Sequence, residues 1–297
     1  MRAQMGATIE SLMAADPRLA VVLADISVGY FEGAAARHPQ RVISVGIMEQ
    51  TAVSLAAGLA LEGFVPVVHS IAPFVVERPF EQIKDDFCYQ RLGGNFISTG
   101  ASYDYGTDGM THYGMGDVPI LRTLPGMEIV VPGTAAEFDA LFRERYADGA
   151  PTYYRLQDQG NATDRPVRFG HLEVIRRGSA AVVVAVGPML DRVLEATEGL
   201  DVGVAYCTTV APFDGATLRT VAMEAGTRSI VLVEPYYEGA LVPDVVLTFD
   251  REAVRIKAIG VPHRVLSRYG TAADHDRNLG LDAAGIRRRI VDFLADG

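Results

Sequence analysis

Cysteine is scarce in this chain. Cys88 and Cys207 are the only two in 297 residues, far apart and with no CxxC spacing. That excludes a disulfide framework and a thiolate metal site, and leaves each as a small buried apolar residue. No apolar run reaches the roughly 18 residues that a membrane-crossing helix needs, and no secretory leader precedes the first strand. The expected location is therefore the bacterial cytoplasm. Basic residues are outnumbered, with 27 Lys and Arg against 37 Asp and Glu and a formal net charge of −10. The acidity is spread along the chain, which argues against a nucleic-acid or membrane-surface partner. No internal repeat is present. What remains, 49% hydrophobic and 22% charged residues, is the composition of a soluble α/β protein long enough for two cores.

The order of segments is consistent with that class. β-Branched and apolar runs predict strands at Leu19–Ala24, Arg41–Val45, Val65–His69, Asn95–Thr99, Glu128–Val131 and Thr152–Arg155. Helices are expected near residues 5–14, 27–38, 48–62, 74–90 and 134–147. Thr134, with Glu137 three residues on, has the pattern of a capping box. Alternation of this kind builds a parallel sheet covered on both faces. Residues 158–176 are polar, carry breakers, and read as a connection. A second unit follows, with strands at Ala180–Gly187, Val202–Cys207, Ser229–Glu234 and Val254–Ile259, and a last helix over 283–295 capped by Asp282. The expected architecture is two consecutive open, mainly parallel sheets with helices on both faces, divided into residues 1–160 and 175–297. Such sheets bind ligands at the carboxyl ends of their strands, where Glu49, His69 and the 100–117 loop all fall.

The most informative stretch runs from Arg41 through Gly46-Ile-Met-Glu-Gln50 into Thr51-Ala-Val-Ser-Leu-Ala-Ala-Gly-Leu-Ala-Leu-Glu-Gly63. A short β-branched run ends at Gly46, and a helix begins near Met48 that is apolar or small on nearly every side, hence buried. Glu49 lies in its first turn. Burial disfavours a charged carboxyl unless a base or cation meets it, and a heterocyclic nitrogen would suit such a group. A first-turn Glu that only complements the helix dipole is the alternative.

Gly46-Ile-Met-Glu-Gln50 resembles a segment of the transketolase superfamily, the thiamine diphosphate enzymes. Thr107-Asp-Gly-Met-Thr-His112, Pro119-Ile-Leu-Arg-Thr-Leu-Pro-Gly-Met-Glu-Ile-Val-Val-Pro132, Tyr153-Tyr-Arg155, Gly260-Val-Pro-His-Arg264 and Leu279-Gly-Leu-Asp-Ala-Ala-Gly-Ile286 resemble further family segments in the same order. The resemblance covers nearly the whole chain. The Gly-Asp-Gly…Asn motif that holds Mg²⁺ and the cofactor diphosphate in full-length relatives is missing. The resemblance therefore implies the C-terminal subunit of a split transketolase, a pyrimidine-binding domain plus a C-terminal domain. An N-terminal subunit would carry the diphosphate and a Mg²⁺ or Ca²⁺ ion, in a two-plus-two heterotetramer, and this chain would supply no metal ligand.

The same resemblance implies roles for individual residues. Glu49 would hydrogen-bond the cofactor's pyrimidine ring and support its proton relay. Phe74 would stack on that ring, with Ile71 beside it in the same loop and Asp25 nearby. Asp108 and His112 would contact substrate, His112 also moving protons. Arg155, Arg2 and Arg122 would hold a substrate phosphate through their guanidinium forks, and His69 is a further candidate beside the cleft. Gly100 and Gly29 stand where the family places a phosphate-binding His and Ser, and Tyr103-Asp104-Tyr105 alters the loop, so substrate identity stays open. His38, His171 and His275 read as solvent-facing, and His263 as structural. The expected activity is transfer of a two-carbon ketol unit from a ketose, or ketose phosphate, to an aldehyde-type acceptor. Two other readings remain: a β subunit of a 2-oxoacid dehydrogenase, faintly suggested by Phe80-Glu-Gln-Ile83, and a noncatalytic α/β regulatory module.

Overall fold

The computed structural model describes residues 1–296. Twelve strands form two sheets among these residues. β1 (Leu19–Leu23), β2 (Val42–Ser44), β3 (Val65–Ile71), β4 (Gly94–Thr99), β5 (Glu128–Val130) and β6 (Pro151–Arg155) pair in the parallel order β5-β6-β4-β3-β1-β2. The second sheet contains β7 (Leu172–Arg176), β8 (Ala181–Val186), β9 (Val202–Cys207), β11 (Ser229–Tyr237) and β12 (Arg255–Val261), in the order β12-β11-β8-β9-β7. The expected α/β class with two mainly parallel sheets is what forms. The central strand β8 shows why: it is apolar and buried at every position, as a strand covered on both faces must be.

Two strands lie outside the expected set. The connection 158–176 ends in β7, which pairs antiparallel with β9. It sits at a sheet edge, where Glu173 and Arg176 can reach water, so it lacks the apolar run that marks interior strands. β10 (Thr209–Ala211) leaves the second unit and adds antiparallel to β5 of the first sheet. The two units are therefore joined by backbone pairing as well as by the connection.

Helix breaks follow local chemistry. The expected helix 74–90 divides into Ala72–Val76, a short turn at Phe80–Gln82 and a π-helical stretch Ile83–Tyr89, because Pro79 has no N–H and its ring clashes with a preceding carbonyl. The helix Glu49–Leu61 buries one face through Glu49, Ala52, Val53, Ala56 and Ala57, while Gln50, Thr51, Ser54 and Leu61 are exposed. This corrects the expectation of burial all round. Thr134 accepts a hydrogen bond from Glu137 N at 3.2 Å, and Asp282 accepts one from Gly285 N at 2.9 Å.

The loop between β4 and the helix Asp117–Leu121 is closed at its base. Ser102 and Gly114 exchange backbone hydrogen bonds of 3.1 and 2.8 Å, and Arg155 bridges both, donating to Ser102 Oγ at 2.8 Å and to the Gly114 carbonyl at 3.0 Å. Arg155 also donates to Asp117 at 2.8 Å and Gln157 at 3.1 Å, with neither Arg155 nor Asp117 reaching solvent. The loop's outer side is tied to the second unit. Tyr103 donates to Asp276 at 2.5 Å, and Tyr113 meets His275 Nε2 at 3.0 Å. His275 is thus buried against two tyrosines, which corrects its reading as solvent-facing. Its sequence neighbours are polar, but the helix Ala272–Leu279 turns it inward.

Removing one member of a fully buried ion pair leaves the other charge stranded, at a cost of about 3–5 kcal/mol. Arg155→Met should therefore lower the unfolding free energy by about that amount, read from urea denaturation of the chain. An unchanged midpoint and slope would contradict the strut assigned to Arg155.

Candidate active site

The first sheet reverses its strand order around β1: β2 lies on one side of it and β3 on the other. At such a switch point the loops after neighbouring strands diverge and leave a crevice. After β1 come Asp25 and Ser27, both with positive φ (56° and 63°). Glu49 opens the helix after β2, and His69 and Ile71 lie near the end of β3. The turn Met110–His112 lies in the loop that follows β4.

These loops bring several side chains into one row. Glu49 is buried (4% exposed), yet Ile47 and Met48 immediately before it are 70% and 52% exposed. The Glu49 carboxylate accepts a hydrogen bond from Arg78 Nη1 at 2.9 Å. The Arg78 guanidinium lies 3.8 Å from the centre of the Phe74 ring. Phe74 meets His112 edge-on, with ring centres 5.2 Å apart, and His112 meets Tyr105 edge-on at 6.4 Å. Thr111 Oγ1 sits 2.9 Å from His112 Nδ1. Tyr105 covers Gly100, whose positive φ and contact with the ring leave no room for a side chain. Asp108 is exposed in the same loop.

A second group lies where the Arg2 charge reaches the Tyr105 hydroxyl: Arg2 Nε donates to Ser27 Oγ at 2.8 Å, and Ser27 Oγ lies 2.7 Å from His69 Nε2. His69 Nδ1 lies 2.8 Å from the Ile97 carbonyl. A carbonyl only accepts, so Nδ1 carries the hydrogen in the neutral ring, and Nε2 accepts from Ser27. Burial, then the Arg2 charge, pulls the His69 pKa down to about 4, against the Ile97 hydrogen bond. The chain of donors is therefore directed: Arg2 to Ser27 to His69 to the backbone. His69 has no exposed surface, which corrects its placement among substrate-facing residues; it anchors Ser27, which in turn holds Arg2.

Two other arginines also move out of the expected set. Arg155 is wholly buried with its nitrogens occupied by the loop base. Arg122 spans the two units, donating to the Val210 carbonyl at 3.1 Å and pairing with Asp244. Their guanidinium groups satisfy internal acceptors, so neither faces the row or the group around Arg2. Arg2 makes a single side-chain hydrogen bond and lies 5.8 Å over the Tyr30 ring.

Arg78, Ser27 and Tyr105 were absent from the sequence-based site. Only Arg78 carried a readable signal: within the expected helix 74–90 it follows Phe74 by four residues, the spacing that puts two helical side chains on one face. Among the described residues, no group of three His, Cys, Asp or Glu side chains is arranged to hold a metal ion, and no helix is long and apolar enough to cross a membrane.

Comparison with known proteins identifies the two domains. Residues 1–160 match the transketolase pyrimidine binding domain, and residues 170–286 the transketolase C-terminal domain. An uncharacterized 33.6 kDa protein of the fasciation locus of Rhodococcoides fascians is 40% identical over 97% of this chain and 93% of its own length. A 1-deoxy-D-xylulose-5-phosphate synthase of Geobacter sulfurreducens is 33% identical over 94% of the chain, which spans 47% of that enzyme. A solved split-gene transketolase, described as an inactive β4 tetramer, superposes with a TM-score of 0.86 at 26% identity, covering 99% of this chain and 97% of its own. Campylobacter jejuni transketolase shares the fold, with a TM-score of 0.81 at 17% identity over 98% of this chain and 46% of that one. By its two domain matches and its relatives, the chain belongs to the transketolase family.

Proposed function

We propose that this chain is the C-terminal subunit of a two-chain, thiamine diphosphate-dependent transketolase-like transferase, moving a two-carbon ketol unit from a ketose to an aldehyde-type acceptor. A separate subunit would hold the diphosphate with Mg²⁺ or Ca²⁺, in a heterotetramer. The observation that carries the reading is the seat formed by Glu49 and Phe74. A flat, nitrogen-bearing cation, the Arg78 guanidinium, fits between the carboxylate and the ring face. An aminopyrimidine has the same flatness and N–H edge, so the residues fit the cofactor ring.

When bound, thiamine diphosphate supplies the reactive carbon and the electron sink. Within this chain Glu49 would hydrogen-bond the ring nitrogen and fix its protonation, and Phe74 would lie against the ring face, with Ile71 and Asp25 at the edges of the same crevice. His112, half-buried beside Phe74, would exchange a proton with the reacting oxygen, and Asp108 would accept a substrate hydroxyl hydrogen. Arg2 would meet the distal end of the substrate. Ile47 and Met48, apolar and exposed just before the buried carboxylate, support the need for a covering subunit that excludes water from the pair.

The isolated chain should show no transferase activity; mixed with a subunit that bears the diphosphate motif, it should gain it. Glu49→Gln in that mixture should cost at least about two orders of magnitude in rate, the scale of acid–base groups. Steady-state assays against ketoses, ketose phosphates and 2-oxoacids check both, and full turnover by the chain alone would refute the two-chain reading.

His69 supplies a pH signature. Its folded pKa is depressed from 6.5 to about 4, so its contribution to stability is present above pH ~6.5 and is lost as pH falls towards 4, by up to about 3 kcal/mol. Urea denaturation at pH 7, 6 and 5 should show that decline, and His69→Gln should flatten it. A variant with the native slope would remove the neutral His69 from the account.

A further inference from the structure

We propose that Arg78 is an internal occupant of the cofactor-ring seat, a built-in gate that must leave before thiamine diphosphate can bind. This rests on Glu49 and Phe74 forming that seat. The Arg78 guanidinium makes both contacts the ring would make. It donates to Glu49 Oε1 at 2.9 Å and lies against the Phe74 face at 3.8 Å from the ring centre. Arg78 takes Glu49 Oε1 and covers one face of Phe74, so a ring seated at that oxygen and against that face would have to displace it.

The geometry also lets Arg78 leave. Its side chain is 42% exposed, whereas the Glu49 side chain is 5% exposed. The charge that stays behind is the buried one, and the charge that moves can be rehydrated. Arg78 follows the helix Ala72–Val76 and directly precedes Pro79, so its own helix ends before it and its side chain lies at a break. A seated guanidinium keeps the carboxylate hydrogen-bonded while no ring is present, which matters because an unpaired buried charge is costly. It also means that the ring's apparent affinity is reduced by the fraction of chains in which the seat is open.

The pair and the cation–π contact are both partly exposed, so their combined hold on Arg78 is modest, and an effect of about tenfold on affinity is expected. The test uses the full chain and two probes, thiamine diphosphate and the cofactor's aminopyrimidine fragment, titrated calorimetrically. Arg78→Ala and Arg78→Met should each bind the fragment about tenfold tighter than the native chain, with a lowered melting temperature in the free chain that the fragment restores. Binding no tighter than native, undetectable binding to all three included, overturns the gate. Glu49→Gln separates this from the functional reading: if it weakens ring binding while the Arg78 variants do nothing, the seat stands and the gate falls. A second readout needs no ligand. Nitrogen-15 spectra of the arginine side chains should show slowed Nη rotation for Arg78 in the free native chain, released in Glu49→Gln. Free rotation in the native chain also overturns the proposal.

Discussion

A guanidinium with no access to water sets the position of the loop on which the candidate site depends. Arg155 ends β6 inside the molecule, and burying such a charge is tolerable only if every nitrogen finds an acceptor. The chain meets that demand with Asp117, Gln157, Ser102 Oγ and the Gly114 carbonyl. Two of those four acceptors are the two ends of the 102–114 loop. Satisfying the charge and closing the loop are therefore one act. Ser102 Oγ in turn donates to the Pro235 carbonyl of β11, and Tyr153 donates to Asp117 at 2.8 Å, so both units share the same network. The loop that carries Asp108 and His112 is fixed from below by this charge and from the side by Tyr103 and Tyr113.

That fixed loop explains why the row from Glu49 through Arg78 and Phe74 to His112 and Tyr105 is continuous although its members come from separate segments. His112 stands beside Phe74 only because the loop folds back over the helix Ala72–Val76, and Gly114 permits the approach: a Cβ there would collide with Ala72. Gly100 does the same for Tyr105. What looked in sequence like the loss of a phosphate-binding side chain is, in the fold, the space taken by an aromatic ring. With Arg155 and Arg122 committed to internal acceptors, Arg2 is the arginine of the expected phosphate set that is not so committed. The electrostatics of the distal end therefore differ from what a three-arginine reading implies, with one cation and a neutral His69 behind it.

The strands and the order of motifs were legible because their signals are local. β-Branched runs mark strands, and Thr134 and Asp282 mark helix starts through hydrogen bonds spanning three residues. The identity of a side chain's partner is not local, and there the sequence reading erred. Arg155, Arg122, His69 and His275 are all polar residues in suggestive places, and each turns inward to a partner many positions away: Ser102, Asp244, Ser27 and Tyr113. β7 was hidden for a related reason, since an edge strand tolerates charge and loses the apolar pattern that reveals interior ones. Glu49 and Phe74 were identifiable through a family resemblance. Arg78 joins them, and although its spacing from Phe74 is a local signal, its pairing with the buried carboxylate is not.

Comparing the two arginine–carboxylate pairs shows what distinguishes a strut from a gate. Arg155–Asp117 and Arg78–Glu49 have nearly equal lengths, 2.8 and 2.9 Å, so bond geometry does not separate them. Solvent access does. In the first pair neither side chain reaches water, and opening it would strand two charges in a low-dielectric interior. In the second, one member is almost half exposed, so opening it leaves a single buried carboxylate and returns the cation to water. If a ring nitrogen takes the vacated hydrogen-bonding position, even that carboxylate is not left alone. The same chemical pair is thus permanent where the fold closes over both partners, and exchangeable where it closes over only one.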